Sequence, residues 1–292
     1  MALSPILSSS SSGHIIPTYV VDSFTDKAFK GNPAGVCILQ NRKLSPEDML
    51  LIAQELGYSE TAFVSILPEG EYASNSYGIR YFSPKMEIPL CGHATLAAAK
   101  VIFNFYNDSN TNEVHFYNIQ NLDLIVTKED DLISMIFPSY PTVEASVPDS
   151  TLEALGIDKV IDTRYNKETN ILLLVIEDTK SLSKLTPDFP NLIKSIDTVN
   201  GILITAPSQD QEYDFHSRYF WPWSGTHEDP VTGGTHTFLT PYWAKKLGKT
   251  KLKSFQSSNR SGWMDVELVD NQLIKISSKA RVILKGELYL DT

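Results

Sequence analysis

A chain of 292 residues has room for two domains of about 150 residues each, and it can bury a core without disulfide or metal staples. Its net charge of −10 and the lack of any basic block exclude a nucleic-acid surface, and no apolar run approaches the length of a membrane span. Two cysteines, Cys37 and Cys91, are too few for a disulfide framework or a Cys-rich zinc site, so a reducing, cytoplasmic setting is expected.

The opening MALSPILSSSSSG is small, polar and low in complexity, and residues 1–13 read as a disordered tail. TYVVDSF and GVCILQ then read as strands, separated by the turn signal Lys30-Gly31-Asn32-Pro33. Ser45 is a good N-cap, with Pro46 in the first turn and Glu47 and Asp48 complementing the positive helix end. Met49, Ile52, Ala53 and Leu56 keep helical spacing, and Gly57 supplies the stop. SETAFVSIL and YGIRYFS follow as strands. Pro89-Leu90-Cys91-Gly92-His93 then leads into ATLAAAKVIFNFY, apolar nearly all round, the pattern of a helix inside the fold.

The same plan returns. NILLLVIED and GILITAPS read as strands, and LTPDFPNLIKSI as helical. Tyr213–Phe220 ends in the same Arg-Tyr-Phe as Tyr77–Phe82, and a glycine turn again opens a helix, THTFLTPYWAKKLG. The two spacings differ by three residues, so one copy carries an insertion. The order of elements argues for duplication. The expected division is 14–140, with 281–292 a candidate returning strand, and 141–280.

A buried helix entered through a glycine turn offers free backbone N–H groups and a partial positive charge, hence an anion site. Two such ends, at Gly92 and at Gly233-Gly234, would face each other across a cleft and hold a carboxylate. Strand alternation places Glu60 on one face with Tyr58 and Ala62, and Ser59 and Thr61 on the other. A carboxylate on a half-apolar face suits general acid/base work, against the plain alternative of an exposed strand-edge residue. Cys91 at a helix start would have a lowered pKa and serve as nucleophile or base, or else be a small buried hydrophobe. His93 would orient a substrate or shuttle a proton. His216, His227, His236 and Asp229 fit no metal-ligand spacing.

GNPAGVC, SETAF, IRYFSP followed by IPLCGHAT, and EDPVTGGTH stand in an order that resembles the PhzF family of phenazine-biosynthesis-like proteins, from Thr18 to Leu290. FxSRYFxPWxG, YWAKKLGK and FQSSNRSG are similar to the eukaryotic members. The resemblance implies an α+β, diaminopimelate epimerase-like fold: two pseudo-symmetric domains, each a curled mixed sheet around a central helix. It implies an isomerase of a small carboxylate-bearing metabolite, with no cofactor, no metal, no nucleic acid and no membrane, working as a homodimer. Glu60 would be the acid/base, His93 and Asp229 its polar partners, and Ser59 with the Gly92 and Gly233 backbone the carboxylate contacts. In the type reaction a carboxylate takes a proton from an activated carbon and returns one to another carbon of the same π-system. Gly234 stands where family members often have Ser. The epimerase relatives use two opposed cysteines; here Cys91 faces Thr232, which disfavours thiol-pair racemisation. The rival readings are an epimerase using Cys91 as a base, and a binding or regulatory protein on the same fold.

Overall fold

The computed structural model describes residues 14–40, 42–68, 72, 75–106 and 111–290, so the expected tail lies outside the described residues. The first half runs β1 (His14–Ser23), β2 (Asn32–Gln40), α1 (Pro46–Leu56), β3 (Thr61–Ile66), β4 (Ser76–Phe82), β5 (Glu87–Ile88), α2 (Gly92–Phe105), β6 (Glu113–Tyr117), β7 (Asp123–Glu129) and β8 (Leu132–Pro138). The second runs β9 (Val143–Glu144), α3 (Asp149–Leu155), β10 (Asp162–Asn166), β11 (Ile171–Val175), α4 (Thr179–Ser183), α5 (Phe189–Ser195), β12 (Gly201–Pro207) and β13 (Phe215–Trp221). After a 3₁₀ turn at Pro222–Ser224 come β14 (Thr226–Asp229), α6 (His236–Leu247), β15 (Lys251–Gln256), β16 (Gly262–Leu268), β17 (Leu273–Ser278) and β18 (Ala280–Leu290).

The pairing repeats rung for rung. β2–β3 is parallel, β3–β4 and β4–β5 antiparallel, β4–β6 parallel, and β6–β7–β8 antiparallel. β11–β12 is parallel, β12–β13 and β13–β14 antiparallel, β13–β15 parallel, and β15–β16–β17 antiparallel. β1 adds antiparallel to β2 as β10 adds to β11, and β18 returns from the C-terminal end to pair with β1. β8 and β17 join the halves, with Ser134 and Ser277 hydroxyls 2.7 Å apart in the seam. This is the α+β architecture of two like halves. We propose the division 14–140 with 281–292, and 141–280, on the strength of that repeat.

Each curled sheet closes on its own helix. The α2 residues Ala94, Leu96, Ala97, Ala98 and Ala99 are fully buried, because alanine lets the sheet approach the helix on every side. α6 buries His236, Phe238, Leu239 and Trp243 in the same role. α1 covers the outer face of the first sheet, held by a Ser45–Asp48 capping box worth about 1 kcal/mol and ended by Gly57 at φ 69°. The stretch 185–196 is helical only from Phe189: Asp188 accepts from the Asn191 amide as N-cap and Pro190 sits in the first turn. Among the described residues no helix is long and apolar enough to cross a membrane.

The shared Arg-Tyr-Phe has one job in both halves. Arg80 makes a bidentate pair with Glu87 (both 2.7 Å) and lies over Phe82; Arg218 does the same with Glu228 (2.7 and 2.8 Å) and lies over Phe220. Partners are seven residues apart in the first copy and ten in the second, which places the insertion in the β13–β14 hairpin with its 3₁₀ turn.

Candidate active site

The register fixes what faces what. Tyr81 pairs with Ile88 and Tyr219 with Asp229, so Asp229 occupies the second-half counterpart of Ile88. Counting on from there, Cys91 and Thr232 are counterparts, as are Gly92 and Gly233, and His93 and Gly234. The α2 start, the segment before β3, the β13–β14 hairpin and the turn before α6 enclose a cleft of about 590 Å³. All nine expected residues line it: Ser59, Glu60, Cys91, Gly92, His93, Asp229, Thr232, Gly233 and Gly234. Tyr58, Met86, Ile88, Leu90 and Trp221 add an apolar wall, and Lys85 is the one Lys or Arg among the lining residues. A larger, open depression of about 670 Å³ lies around Asn75, His115 and Lys128; none of the nine reaches it.

Glu60 and Ser59 address the same atom. His93 Nε2 lies 3.2 Å from Glu60 Oε2 and 3.5 Å from Ser59 Oγ. The expected alternation fails here because β3 begins only at Thr61, and the bend before it turns both side chains into the cleft. The other ring nitrogen, Nδ1, lies 3.3 Å from Cys91 Sγ. Burial holds the imidazole below its ordinary pKa although the Glu60 charge opposes this, so the ring is neutral.

Of the two readings of Cys91, the structure has the buried side chain. Cys91 is the N-cap of α2, yet burial and then the Glu60 charge push its thiol well up, and the nearby amides of Ala94 and His93 do not reverse this. The helix end therefore does not make it a thiolate. Glu60, Cys91 and His93 keep donor atoms within 4.8 Å of one another, which invites a metal reading. The carboxylate and thiol contact opposite nitrogens of one imidazole, at 3.2 and 3.3 Å, distances of hydrogen-bonded pairs and longer than zinc–ligand bonds. The arrangement is a hydrogen-bonded chain.

Asp229 faces this chain from the other half. It accepts from Asn32 Nδ2 at 2.9 Å and from the Thr232 hydroxyl, and Gln256 Nε2 holds its carbonyl at 2.7 Å. Burial, with the Glu60 charge adding to it, raises its pKa to about 7 against the two hydrogen bonds. Asn32 and Gln256 were not among the expected site residues. Asn32 stood in the sequence only as part of a turn, and its contact spans 197 residues.

The helix ends fit an anion. α6 starts through tight turns, with the His236 amide bonded to the Gly233 carbonyl at 3.0 Å. The Thr232 amide goes to Gln256 Oε1 at 2.9 Å, whereas the Gly233 and Gly234 amides have no acceptor among the described residues. The remaining histidines scatter. His236 is buried between the Thr232 carbonyl and Ser254, its pKa lowered to about 4 by burial, and His227 stacks on Phe189 at 4.2 Å. In the aromatic stretch, Tyr219 and Phe220 are core, Trp221 lines the cleft, and Trp223 donates to the Ile196 carbonyl at 2.9 Å.

Fold and site define an α+β protein of two like halves that meet at a cleft, with a carboxylate contributed from each side. The chain belongs to the phenazine biosynthesis-like protein family, whose model matches residues 21–287. The bovine phenazine biosynthesis-like domain-containing protein is 39% identical over 287 residues, covering 94% of this chain and 99% of that one. A Pseudomonas aeruginosa protein named an uncharacterized isomerase is 40% identical over 272 residues, covering 93% and 98%. The crystal structure of a PhzF-family phenazine biosynthesis protein from Enterococcus faecalis superposes with a TM-score of 0.86 at 36% identity, covering 95% and 100%.

Proposed function

We propose that the chain is an isomerase that moves a proton within a small carboxylate-bearing, unsaturated metabolite, using its own acids at the cleft between the halves. The observation that carries this reading is the convergence of Glu60, His93 and Asp229 on one cleft bounded by two helix starts. The substrate carboxylate binds at the Gly92, Gly233 and Gly234 amides with Ser59 beside it. Glu60 takes the proton from the activated carbon and returns it elsewhere in the π-system. His93 Nε2 orients the Glu60 carboxyl through both transfers, and Asp229 binds and polarises the far side of the substrate. The isomerase name of the Pseudomonas relative supports the class of reaction.

Two observations weigh against an epimerase built on Cys91. Its thiol is buried and held neutral, and its counterpart is Thr232. Glu60 has no acidic counterpart either. The equivalent position is Gly201, the first residue of β12, where a Cβ would come within 2.5 Å of the Tyr219 hydroxyl. An open cleft with a complete acid pair likewise favours catalysis over a purely regulatory role. The test is solvent exchange: a panel of unsaturated carboxylates in heavy water, followed by NMR. Glu60→Gln is expected to lose about a hundredfold or more in exchange rate; unchanged exchange removes the base.

A further inference from the structure

We propose that Cys91 is the positioning residue of the site, its thiol donating to His93 Nδ1 and holding the ring in the tautomer whose Nε2–H faces Glu60. Cys91 is 9% exposed and His93 8%, so water does not compete for either end of the contact. The sulfur lies 3.3 Å from Nδ1, while Nε2 lies 3.2 Å from the Glu60 carboxylate. A neutral imidazole carries one N–H, and the two contacts need opposite roles from the two nitrogens. A neutral thiol supplies the hydrogen at Nδ1, so the ring's own hydrogen sits on Nε2 and is donated to Glu60. The opposite tautomer would turn the Nε2 lone pair toward a carboxylate, an acceptor facing an acceptor. The burial that raises the thiol's pKa favours the same assignment.

The second half supports this by analogy of position. Thr232, the counterpart of Cys91, donates its hydroxyl to Asp229. At the same step of each repeat the residue before the turn glycine, Gly92 or Gly233, therefore serves as a hydrogen-bond donor to the acid system, directly in one half and through His93 in the other. Cys91 touches no reacting atom in this scheme.

The catalytic meaning of the tautomer rests on Glu60 as proton carrier, but the tautomer itself is measurable without any ligand. ¹⁵N-histidine NMR of the full chain, with the His93 signals assigned by His93→Gln, reads which nitrogen is protonated. Wild type and Cys91→Ser are expected to show Nε2–H with a bare Nδ1. Cys91→Ala and the bulkier Cys91→Val are expected to lose that single state, with the Nδ1-protonated form appearing. Nδ1–H in the wild type overturns the proposal, and so does an unaltered tautomer in both apolar variants. If the tautomer follows Cys91 while Glu60→Gln leaves exchange intact, the positioning role stands and the proposed function falls.

Discussion

Asn32 Nδ2 donates to Asp229 Oδ1 at 2.9 Å, tying the first turn of one half to the acid of the other. The same nitrogen donates to the Val231 carbonyl at 2.9 Å, so both its hydrogens are committed to the DPVTG turn. The side chain is fully buried, and its Oδ1 has no partner among the described residues. Asn32→Ala strips a donor from two buried acceptors and should cost about 1–3 kcal/mol in urea unfolding. It also removes a bond that favours ionised Asp229, so the Asp229 pKa should move further up. Asn32→Asp, which sets a second carboxylate against the first, should be worse than alanine above neutral pH. An alanine variant as stable as wild type would show that this contact does not join the halves.

Asp229 should leave a signature in the pH dependence of stability. Its carboxyl titrates near 7 in the folded chain against an unfolded value of about 3.9. Between those values the folded state binds more proton than the unfolded one, so stability falls as pH rises. Its contribution is complete below pH about 4 and lost as pH passes about 7. His93 and His236, both held low by burial, act in the opposite sense, their contribution present above about pH 6.5 and lost on acidification. The difference from Asp229→Asn isolates the carboxyl. Wild type should lose stability relative to that variant from pH 5 to pH 8, read as urea midpoints at each pH. Parallel curves would mean that Asp229 is ionised throughout.

Local chemistry made the helices legible: Ser45, Pro46 and Gly57 mark α1, and the alanine-rich run marks α2 as central. The repeat was legible through Arg-Tyr-Phe, because the same bidentate pair and the same stacking recur wherever that strand is built. The site residues followed from the motifs and from two glycine-opened helices. Three features were hidden. Asn32 and Gln256 reach Asp229 from segments distant in the chain, which no local pattern encodes. The pairing of Ser59 and Glu60 on one histidine depends on a bend at Tyr58–Ser59 that delays the start of β3, and so of strand alternation, to Thr61. The sense of the Cys91 shift depends on burial outweighing the helix end, which spacing cannot reveal.

The two glycines of the second turn should respond differently to a side chain. A Cβ at Gly234 meets no atom within 4 Å, whereas one at Gly233 comes within 3.0 Å of the Phe24 ring, itself fully buried. Gly234→Ser should fold with a midpoint close to wild type and place a hydroxyl in the cleft, altering substrate affinity more than stability. Gly233→Ala must displace Phe24 and should cost about 1–3 kcal/mol. Equal thermal midpoints for the two would mean that Phe24 yields freely.

The duplicated arginines separate burial from pairing. Arg80 and Glu87 leave 30% and 24% of their side chains exposed, Arg218 and Glu228 only 10% and 19%. Arg218 further donates to the carbonyls of Leu182 and Leu185, at 3.2 and 2.7 Å, capping the short α4 segment. Arg80→Ala therefore removes a partly hydrated pair and should cost about 1 kcal/mol. Arg218→Ala leaves Glu228 and two carbonyls without their donor in a largely dry site and should cost about 3–5 kcal/mol. Arg218→Lys should recover little, since an ammonium cannot span both carboxylate oxygens and both carbonyls at once. The comparison is direct because the two pairs share geometry, strand register and an aromatic neighbour, and differ in hydration and in the carbonyls that Arg218 alone serves. Equal losses at the two positions would show that the bidentate pair by itself, and not its burial, sets the cost.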